Sequence, residues 1–160
     1  MPAAQTTVGS FLTALLAQMQ TRIAADPDLA KVKVWLVPPP EDEQPDGDFL
    51  ILVRGKIPVG DKLATASEVR SRDENPRVPG VVQAYSTTRD GGDSAFTLAL
   101  SRAEAILEQL IAELRDNLPQ VGRQTRSGLV SNITWIPIVG DKGGWIVRGE
   151  FEISYSSRVS

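Results

Sequence analysis

The sequence predicts an α+β domain in which an antiparallel, possibly mixed, sheet of about five strands carries two amphipathic helices on one face. Two long segments repeat apolar residues at three- and four-residue intervals, which is the spacing of a helix with one buried face. Shorter segments alternate apolar and polar residues or are rich in β-branched residues, as strands are. Their order is α-β-β-arm-β-α-β-β, and a two-layer arrangement would bury the apolar faces of both kinds.

Length and composition favour a single domain over residues 1–160 and argue against several classes of chemistry. Of the 160 residues, 41% are hydrophobic and 23% are charged, as in ordinary soluble proteins. The chain has no cysteine and no histidine, so disulfides, thiolate nucleophiles and the commonest general base and metal ligand are missing. The net charge of -3 gives no reason to expect steering toward nucleic acid or anionic lipid. We therefore expect a protein that is not an enzyme and that uses no cofactor or metal.

No segment predicts insertion into a membrane. Apolar runs stay shorter than the roughly 18 residues of a spanning helix. The N-terminal sequence MPAAQTTVGSF lacks the basic start and the continuous apolar stretch of a signal peptide. We expect a protein of the cytoplasm or of a particle assembled there.

The first helix and the first two strands are predicted between residues 8 and 55. In VGSFLTALLAQMQTRIAAD one apolar stripe recurs every fourth residue, and the helix should end at Asp26, because a residue before proline is disfavoured in the helical region. KVKVWLV then alternates up to three prolines, and FLILVRG is apolar on both faces, as in a central or doubly covered strand. We expect these two strands to form a hairpin with an exposed acidic tip, PPPEDEQPDGD.

Residues 56–79 follow neither the helical nor the strand period, and they mix charges of both signs with several prolines. A connection of this length without secondary structure is uncommon inside a compact domain. We therefore expect a projecting arm that is functional or is ordered only on binding.

A third strand, GVVQAYSTTR, precedes the clearest element of the sequence, a helix over residues 95–117. Its apolar residues keep the 3.6-residue period for about six turns. Asp93 or Ser94 can cap its start, and Pro119 ends it. The apolar stripe consists of Phe96, Ala99, Leu100, Ala103, Ile106, Leu107, Leu110, Ile111 and Leu114.

The last two strands, LVSNITWIPIV and WIVRGEFEISY, are predicted to form a hairpin through the turn GDKGG. The length of the turn fixes which residues lie opposite each other, and a slip of one residue would exchange the two faces of the strand. The predicted pairs are Val139 with Trp145, Trp135 with Gly149, and Ile133 with Phe151. This register gathers the aromatic side chains on the face that should pack under the helices.

The other face of this hairpin is more apolar than a solvent-exposed face should be. It carries Ile136, Ile138 and Ile146 near the turn, and we call these three residues the isoleucine patch. Pro137 lies between two of them and cannot donate a ladder hydrogen bond, which favours an edge strand or a local bulge. An apolar cluster of this kind is typical of a surface that meets a partner.

Three acidic motifs are more simply explained without chemistry. Glu150 and Glu152 lie on the polar face of an exposed strand and are best interpreted as a solvated row. Asp61 and Glu68, followed by a basic residue, are faintly like a metal-dependent nuclease site, but no strand signal supports that site. The acidic run Asp42, Glu43, Asp46 and Asp48 lacks the spacing of a calcium loop and more simply keeps a hairpin tip soluble.

The order of elements resembles that of the tail terminator and tail completion proteins of long-tailed bacteriophages. The resemblance is carried by SFLTALLAQMQTRIAADPDLAKVKVW, a helix that leads through Asp26 and Pro27 into the first strand, and by the ending WIVRGEFEISYSS. It covers nearly the whole chain as an architecture and contains no diagnostic motif.

The resemblance implies a small α+β subunit of a virion tail or neck that has no enzymatic activity. Such subunits form a homo-hexameric ring on the tail tube protein, stop its polymerisation and offer a surface to the head-tail connector. Genome DNA would pass through the ring without sequence-specific binding, and assembly would take place in the host cytoplasm without a membrane.

The expected protein interface combines the isoleucine patch with basic residues of the arm. Its members are Ile136, Ile138, Ile146, Lys56, Lys62, Arg70, Arg72 and Arg77. Two alternatives remain open: a small non-catalytic binding domain, and a metal-dependent nuclease that uses Asp61 and Glu68.

Overall fold

The computed structural model of the chain describes residues 7–40, 47–63, 72–87, 92–120, 124–140 and 144–159. These residues form two helices and six strands, and the predicted α+β class is confirmed. In chain order the elements are α1 (Val8–Ala25), β1 (Lys33–Trp35), β2 (Phe49–Ile51), β3 (Val59–Leu63), β4 (Arg72–Ser86), α2 (Gly92–Asp116), β5 (Gln124–Val139) and β6 (Trp145–Val159).

The strands form one mixed sheet in the order β1-β2-β4-β6-β5. The short strand β3 pairs with the first part of β4, on the same side of β4 as β2. β1 and β2 are parallel, and the other described pairs are antiparallel. β4 and β6 are therefore the central strands, and β5 forms one edge.

The predicted hairpin of the first two strands is wrong, because β1 and β2 run parallel. Val34 lies opposite Leu50 in this pairing. The chain must therefore return to the end of the sheet at which β1 starts before β2 begins. Parallel strands need a longer connection than a tight turn. The proline-rich stretch after β1 supplies that length and cannot itself join a ladder. The acidic residues 41–46 lie outside the described residues.

The expectation that residues 56–79 lack secondary structure is also corrected. β3 and the first part of β4 lie in this range and pair with each other from Val59–Pro76 to Leu63–Arg72. Burial alternates along β4, with Glu74, Pro76 and Val78 buried and Asn75 and Arg77 exposed. The strand period was hidden in the sequence because a glutamate and a proline occupy buried positions. Residues 64–71 lie outside the described part of the chain.

The hydrophobic core lies between the two helices and one face of the sheet, as predicted. α1 supplies a stripe that includes Phe11 and Leu15, which are fully buried. α2 supplies Ile106 and Leu110, and the sheet supplies residues of β2, β4 and β6. Among the sheet residues of this core are Leu50, Val78, Val82, Phe151, Ile153 and Tyr155. β2 is buried on both faces, as its sequence indicated.

Both helices lie close to their predicted positions. α1 ends at Ala25, and Asp26 is extended with ψ 113°, as expected for a residue before proline. α2 begins at Gly92, before the predicted caps, and this glycine has a left-handed φ of 60°, which glycine adopts without strain. Asp93 therefore lies in the first turn, where a carboxylate interacts favourably with the helix dipole.

The register of the final hairpin is confirmed near the turn and changes further along. Val139 pairs with Trp145, and Trp135 pairs with Gly149. Beyond these pairs a β-bulge between Ser131 and Thr134 inserts one extra residue into β5. The predicted pairing of Ile133 with Phe151 is therefore wrong.

Candidate interaction surface

The sheet face opposite the helices, which we call the outer face, carries the isoleucine patch. Val147, Phe151 and Ile153 of β6 point into the core, so the alternate residues of β6 lie on the outer face. Ile138 pairs directly with Ile146, which in turn pairs with Tyr85 of β4. The patch thus spans β5 and β6 and borders Tyr85 of β4. Its side chains are half-buried in the isolated chain.

The patch borders an open edge of the sheet, because β5 pairs only with β6 among the described strands. β5 also exposes Leu129 by 51% and Val139 by 71%. Pro137 and the bulge interrupt the regular donors along this edge, as in natural sheets that resist uncontrolled strand addition. The edge strand inferred from Pro137 is confirmed. A partner is therefore more readily held by side chains on the outer face than by strand addition.

A positively charged group lies beside the isoleucine patch. Arg148 pairs with Ile136, is half-buried, and donates from Nη2 to Oε1 of Gln83 at 3.1 Å. Burial lowers the pKa of Arg148, and the nearby Arg54 guanidinium lowers it further, while Glu150 opposes the shift. Glu150 and Glu152 line the same concavity as Arg54, so this part of the outer face carries charges of both signs.

The basic residues predicted for the interface lie apart from the patch. Arg77 pairs with Ser154, eight residues along β6 from Ile146, which corresponds to about 27 Å. Arg77 and Lys56 are exposed. Lys62 lies in β3 and Arg72 in β4, where only their backbone positions are described, and Arg70 lies outside the described residues. The isoleucine patch and the basic group that includes Lys56 and Arg77 thus form separate regions.

Arg77 borders a shallow concavity of about 580 Å³ between β3 and β5. Its floor is lined by Ser154, Ser156 and Asn75, and Leu129 stands at its β5 side. The side chains here are small and polar, so this part of the outer face forms a depression. Nothing in its lining suggests a defined small ligand.

One ion pair at the other end of the sheet was not foreseen from the sequence. Asp48, which was assigned to a solvent-exposed acidic tip, is buried, forms a salt bridge with Arg102 of α2, and accepts the Tyr85 amide N–H at 2.9 Å. Arg102 also donates to the Tyr85 carbonyl at 2.9 Å. Asp48 therefore has a structural role that joins β2, β4 and α2. The last residue of an acidic run before a strand carries no signal of such a role.

Within the part of the chain that is described, no group of three or more acidic, histidine or cysteine residues could hold a metal ion. Of the two residues considered for a nuclease, Asp61 lies in β3 with its backbone opposite Glu74, and Glu68 falls outside the described residues. No helix in the described ranges is long and apolar enough to cross a membrane.

No protein-family model and no curated protein matches the chain. A chain in the solved structure of the virion of a native gene transfer agent particle aligns with 96% of this chain and with 100% of its own length. The TM-score is 0.53 and the sequence identity is 15%.

The two chains share a fold. This likeness extends from α1 to the terminal strand, because almost all of both chains is aligned. At this level of identity it concerns the path of the backbone, and it leaves the roles of single side chains to the geometry described above.

Proposed function

We propose that this protein is a structural component of a phage-like virion and that it acts there as a tail terminator. The observation that carries the proposal is the likeness to a virion chain over nearly the full length of both chains. The order of elements along the sequence resembles that of tail terminators, and this resemblance does not depend on the structural comparison. Sequence and fold therefore support the same class of protein.

In this role copies of the chain assemble into a ring, with six subunits as the expected number. The ring caps the tail tube, stops its polymerisation and joins the tail to the head connector. The chain acts by binding alone and catalyses no reaction, since its sequence offers neither histidine nor cysteine.

The isoleucine patch supports the idea that a partner binds to the outer face of this protein. When a partner buries a half-exposed isoleucine, its remaining apolar area is removed from water. This stabilises the complex by roughly 25 cal/mol per Å² of apolar area. Charged residues at the rim then select the partner and its orientation. The separate basic group, which includes Lys56 and Arg77, suits a second contact with the tube or the connector.

The test is the assembly state of the purified chain, measured by native mass spectrometry and negative-stain electron microscopy, alone and with tail tubes. We expect closed rings, or rings that form on tube ends. Ile138→Asp should leave the subunit folded and abolish assembly, because a charged carboxylate would have to leave water at the apolar contact.

Val37→Asp is the matched control, because Val37 is 55% exposed and lies beyond β1, away from the patch. It should leave assembly unchanged. A small species of fixed size that never forms rings, with or without tubes, contradicts the terminator role. Metal-dependent DNA cleavage lost in Asp61→Ala would favour the nuclease alternative instead.

A further inference from the structure

We infer that Tyr85 of β4 positions the isoleucine patch for binding, and that the ion pair between Asp48 and Arg102 of α2 holds Tyr85 in place. The inference rests on the proposed function, since it names the residue that shapes the surface through which copies of the chain would associate. Tyr85 is a positioning residue in this scheme, because it acts on the ends of β5 and β6, which carry the patch.

The backbone of Tyr85 is held by side chains where the neighbouring strand is missing. Phe49, the first residue of β2, pairs with Gln83, so β2 offers no ladder partner to Tyr85. The ion pair takes the place of the strand. The Tyr85 N–H donates to Oδ1 of Asp48 at 2.9 Å, and the Tyr85 carbonyl accepts from Nη1 of Arg102 at 2.9 Å. Both backbone groups of Tyr85 are therefore satisfied only while the ion pair is in place.

The side chain of Tyr85 lies directly beside the isoleucine patch. Tyr85 pairs with Ile146 of β6, and Ile146 pairs with Ile138 of β5. Because the backbone groups of Tyr85 point to Asp48 and Arg102, they do not bond to β6, and its pair with Ile146 is of the non-hydrogen-bonded kind. The Cα atoms of such pairs are about 4.5 Å apart, and their side chains approach each other closely. A shift of Tyr85 would therefore be felt at the patch.

The ring of Tyr85 also covers the ends of β5 and β6. A Cβ added to Gly144 would come within 2.5 Å of the Tyr85 hydroxyl oxygen, and one added to Gly140 would come within 3.0 Å of the ring. The Gly140 N–H donates to the Gly144 carbonyl at 2.8 Å, which joins the two strand ends. Neither glycine has a positive φ, so the backbone does not itself require glycine at these positions. The two glycines instead leave the space that the ring occupies.

These contacts connect the helix layer to the outer face. Arg102 and Asp48 fix the backbone of Tyr85, and the ring of Tyr85 lies against the strand ends and the patch. Without the ion pair, the ring would no longer be held at one position over the strand ends. A surface that samples several positions binds more weakly, because association must then order it.

Two comparable ion pairs allow a matched test. Asp48→Ala and Glu113→Ala each remove a carboxylate whose side chain is only 6% or 7% exposed. Each leaves a partly exposed arginine, Arg102 or Arg22. Both variants should have a lower denaturation midpoint. Only Asp48→Ala removes the support of Tyr85, because the second pair joins α1 to α2.

The first measurement is the association of subunits. It is followed by sedimentation velocity and, with tubes, by the fraction of capped tube ends in electron micrographs. Asp48→Ala should associate at least about tenfold more weakly than the unmodified chain, and Glu113→Ala should associate like it. Circular dichroism establishes that each variant is folded. If Asp48→Ala does not fold, Arg102→Gln replaces it with Arg22→Gln as its control, because both arginines are partly exposed.

Substitution of Tyr85 itself separates the ring from the rest of the residue. Tyr85→Ala should weaken association by about the same factor as Asp48→Ala. Tyr85→Phe should restore association, because it keeps the ring over the strand ends. If Tyr85→Phe loses as much association as Tyr85→Ala, the ring does not position the patch and the inference is wrong.

The second measurement is hydrogen exchange in the unassembled chain, which needs no partner. Exchange at residues 138–140 and 144–146 should be about tenfold faster in Tyr85→Ala and in Asp48→Ala than in the unmodified chain. It should be unchanged at residues 127–131, toward the other end of β5. Glu113→Ala should leave both regions unchanged relative to each other.

A pair of glycine substitutions tests the contact with the ring directly. Gly144→Ala should speed exchange at the strand ends when Tyr85 is present, because the new methyl group displaces the ring. The same substitution should have little effect in Tyr85→Ala, where no ring remains to be displaced. Gly9→Ala is the control, because no atom lies within 4 Å of the added Cβ.

The outcomes separate this inference from the proposed function. Association that is unchanged in folded Asp48→Ala and Tyr85→Ala overturns the positioning role and leaves the terminator role standing. Equal exchange at the strand ends in all variants overturns the positioning role as well. A chain that never assembles, alone or with tubes, contradicts the terminator role, while exchange in the single subunit still decides whether Tyr85 holds the strand ends.

Discussion

Phe151 connects the final strand to the core and provides the clearest test of the register at the level of a single residue. It is 2% exposed, and its ring lies against the backbone of Gly80, where a Cβ would come within 2.6 Å of the ring. Phe151→Ala should lower the free energy of unfolding by about 3 to 5 kcal/mol, because it leaves a cavity. Chemical denaturation measures this loss.

The matched control for Phe151 is Ile133→Ala. Ile133 is 40% exposed and lies in the bulge, so its truncation should cost less than about 1.5 kcal/mol. If the two losses were reversed in size, the strand register described here would be wrong.

Tyr155 belongs to a buried chain of hydrogen bonds at the start of α1. Thr7 donates its amide N–H and its hydroxyl to Oε2 of Glu74, both at 2.9 Å. Because the Thr7 hydroxyl hydrogen is used in this way, the Tyr155 hydroxyl donates to Thr7 Oγ1, also at 2.9 Å. Glu74 is fully buried and satisfies a free N–H at the helix N-terminus.

This environment predicts a loss of stability in alkaline solution. Burial raises the pKa of Tyr155 to about 12, from an ordinary value of 10.0, because the phenolate is poorly solvated there; the Thr7 hydrogen bond opposes this shift, and the Glu74 charge adds to it. As the pH rises, the Tyr155 hydroxyl therefore loses its proton at a lower pH in the unfolded chain than in the folded chain, which favours unfolding. The stabilising contribution is complete below pH 10 and is lost as the pH rises toward 12.

Chemical denaturation across the alkaline range, from below the ordinary tyrosine pKa to the raised one, measures this effect, with Tyr155→Phe as the comparison. The substituted side chain would keep its ring stacked on Phe11 and cannot titrate, so the slope of stability against pH should be shallower in the variant. Equal slopes in the two proteins would show that Tyr155 does not carry the effect.

At the scale of an element, β4 is the strand that ties the sheet together. It pairs with β6 on one side and with β2 and β3 on the other. We expect its amides to exchange slowly in the isolated chain, because hydrogen bonds in a central ladder open only with much of the structure. Hydrogen exchange followed by mass spectrometry should show residues 74–86 more protected than residues 53–58, which lie in no helix or strand.

Fast exchange over residues 74–79 in the free chain, with protection appearing only in assemblies, would instead support the arm expected from the sequence. The difference depends on whether the first part of β4 is held by β3 and β6 before any partner binds.

The bulge in β5 depends on the backbone of Asn132. This residue has a φ of 53°, in the left-handed region that asparagine and glycine tolerate better than other residues. Its side chain also donates to the Glu152 carboxylate. Asn132→Ala should cost about 1 to 2 kcal/mol of stability, and Asn132→Gly should cost less, because glycine adopts this φ without strain. Denaturation of both variants measures the difference, and an equal cost would mean that the hydrogen bond rather than the backbone sets it.

At the scale of the whole molecule, the proposal of a purely structural role predicts that the chain does not cleave nucleic acid. Plasmid DNA incubated with the purified protein and Mg²⁺ or Mn²⁺ should stay intact, because Glu74 opposite Asp61 is committed to α1. Cleavage lost in Asp61→Ala and Glu68→Ala would overturn this expectation. Asp28→Ala, in an exposed turn, is the control for nonspecific effects.

The sequence by itself determined the two helices, the final hairpin and the face of that hairpin that enters the core. These features are local, since helical and strand periods are set by which residues must leave water. The isoleucine patch could be found for the same reason, since Ile136, Ile138 and Ile146 break the alternation expected of a solvated face.

Only the tertiary structure decided the parallel pairing of β1 with β2, the strands within residues 56–79 and the bulge at Asn132. Pairing partners far apart in sequence are chosen by the packing of the whole sheet, which no local period records. Glu74 shows the reason most directly: a glutamate at a buried strand position looks like a broken pattern until the N-terminus of α1, 67 residues away, supplies its donors.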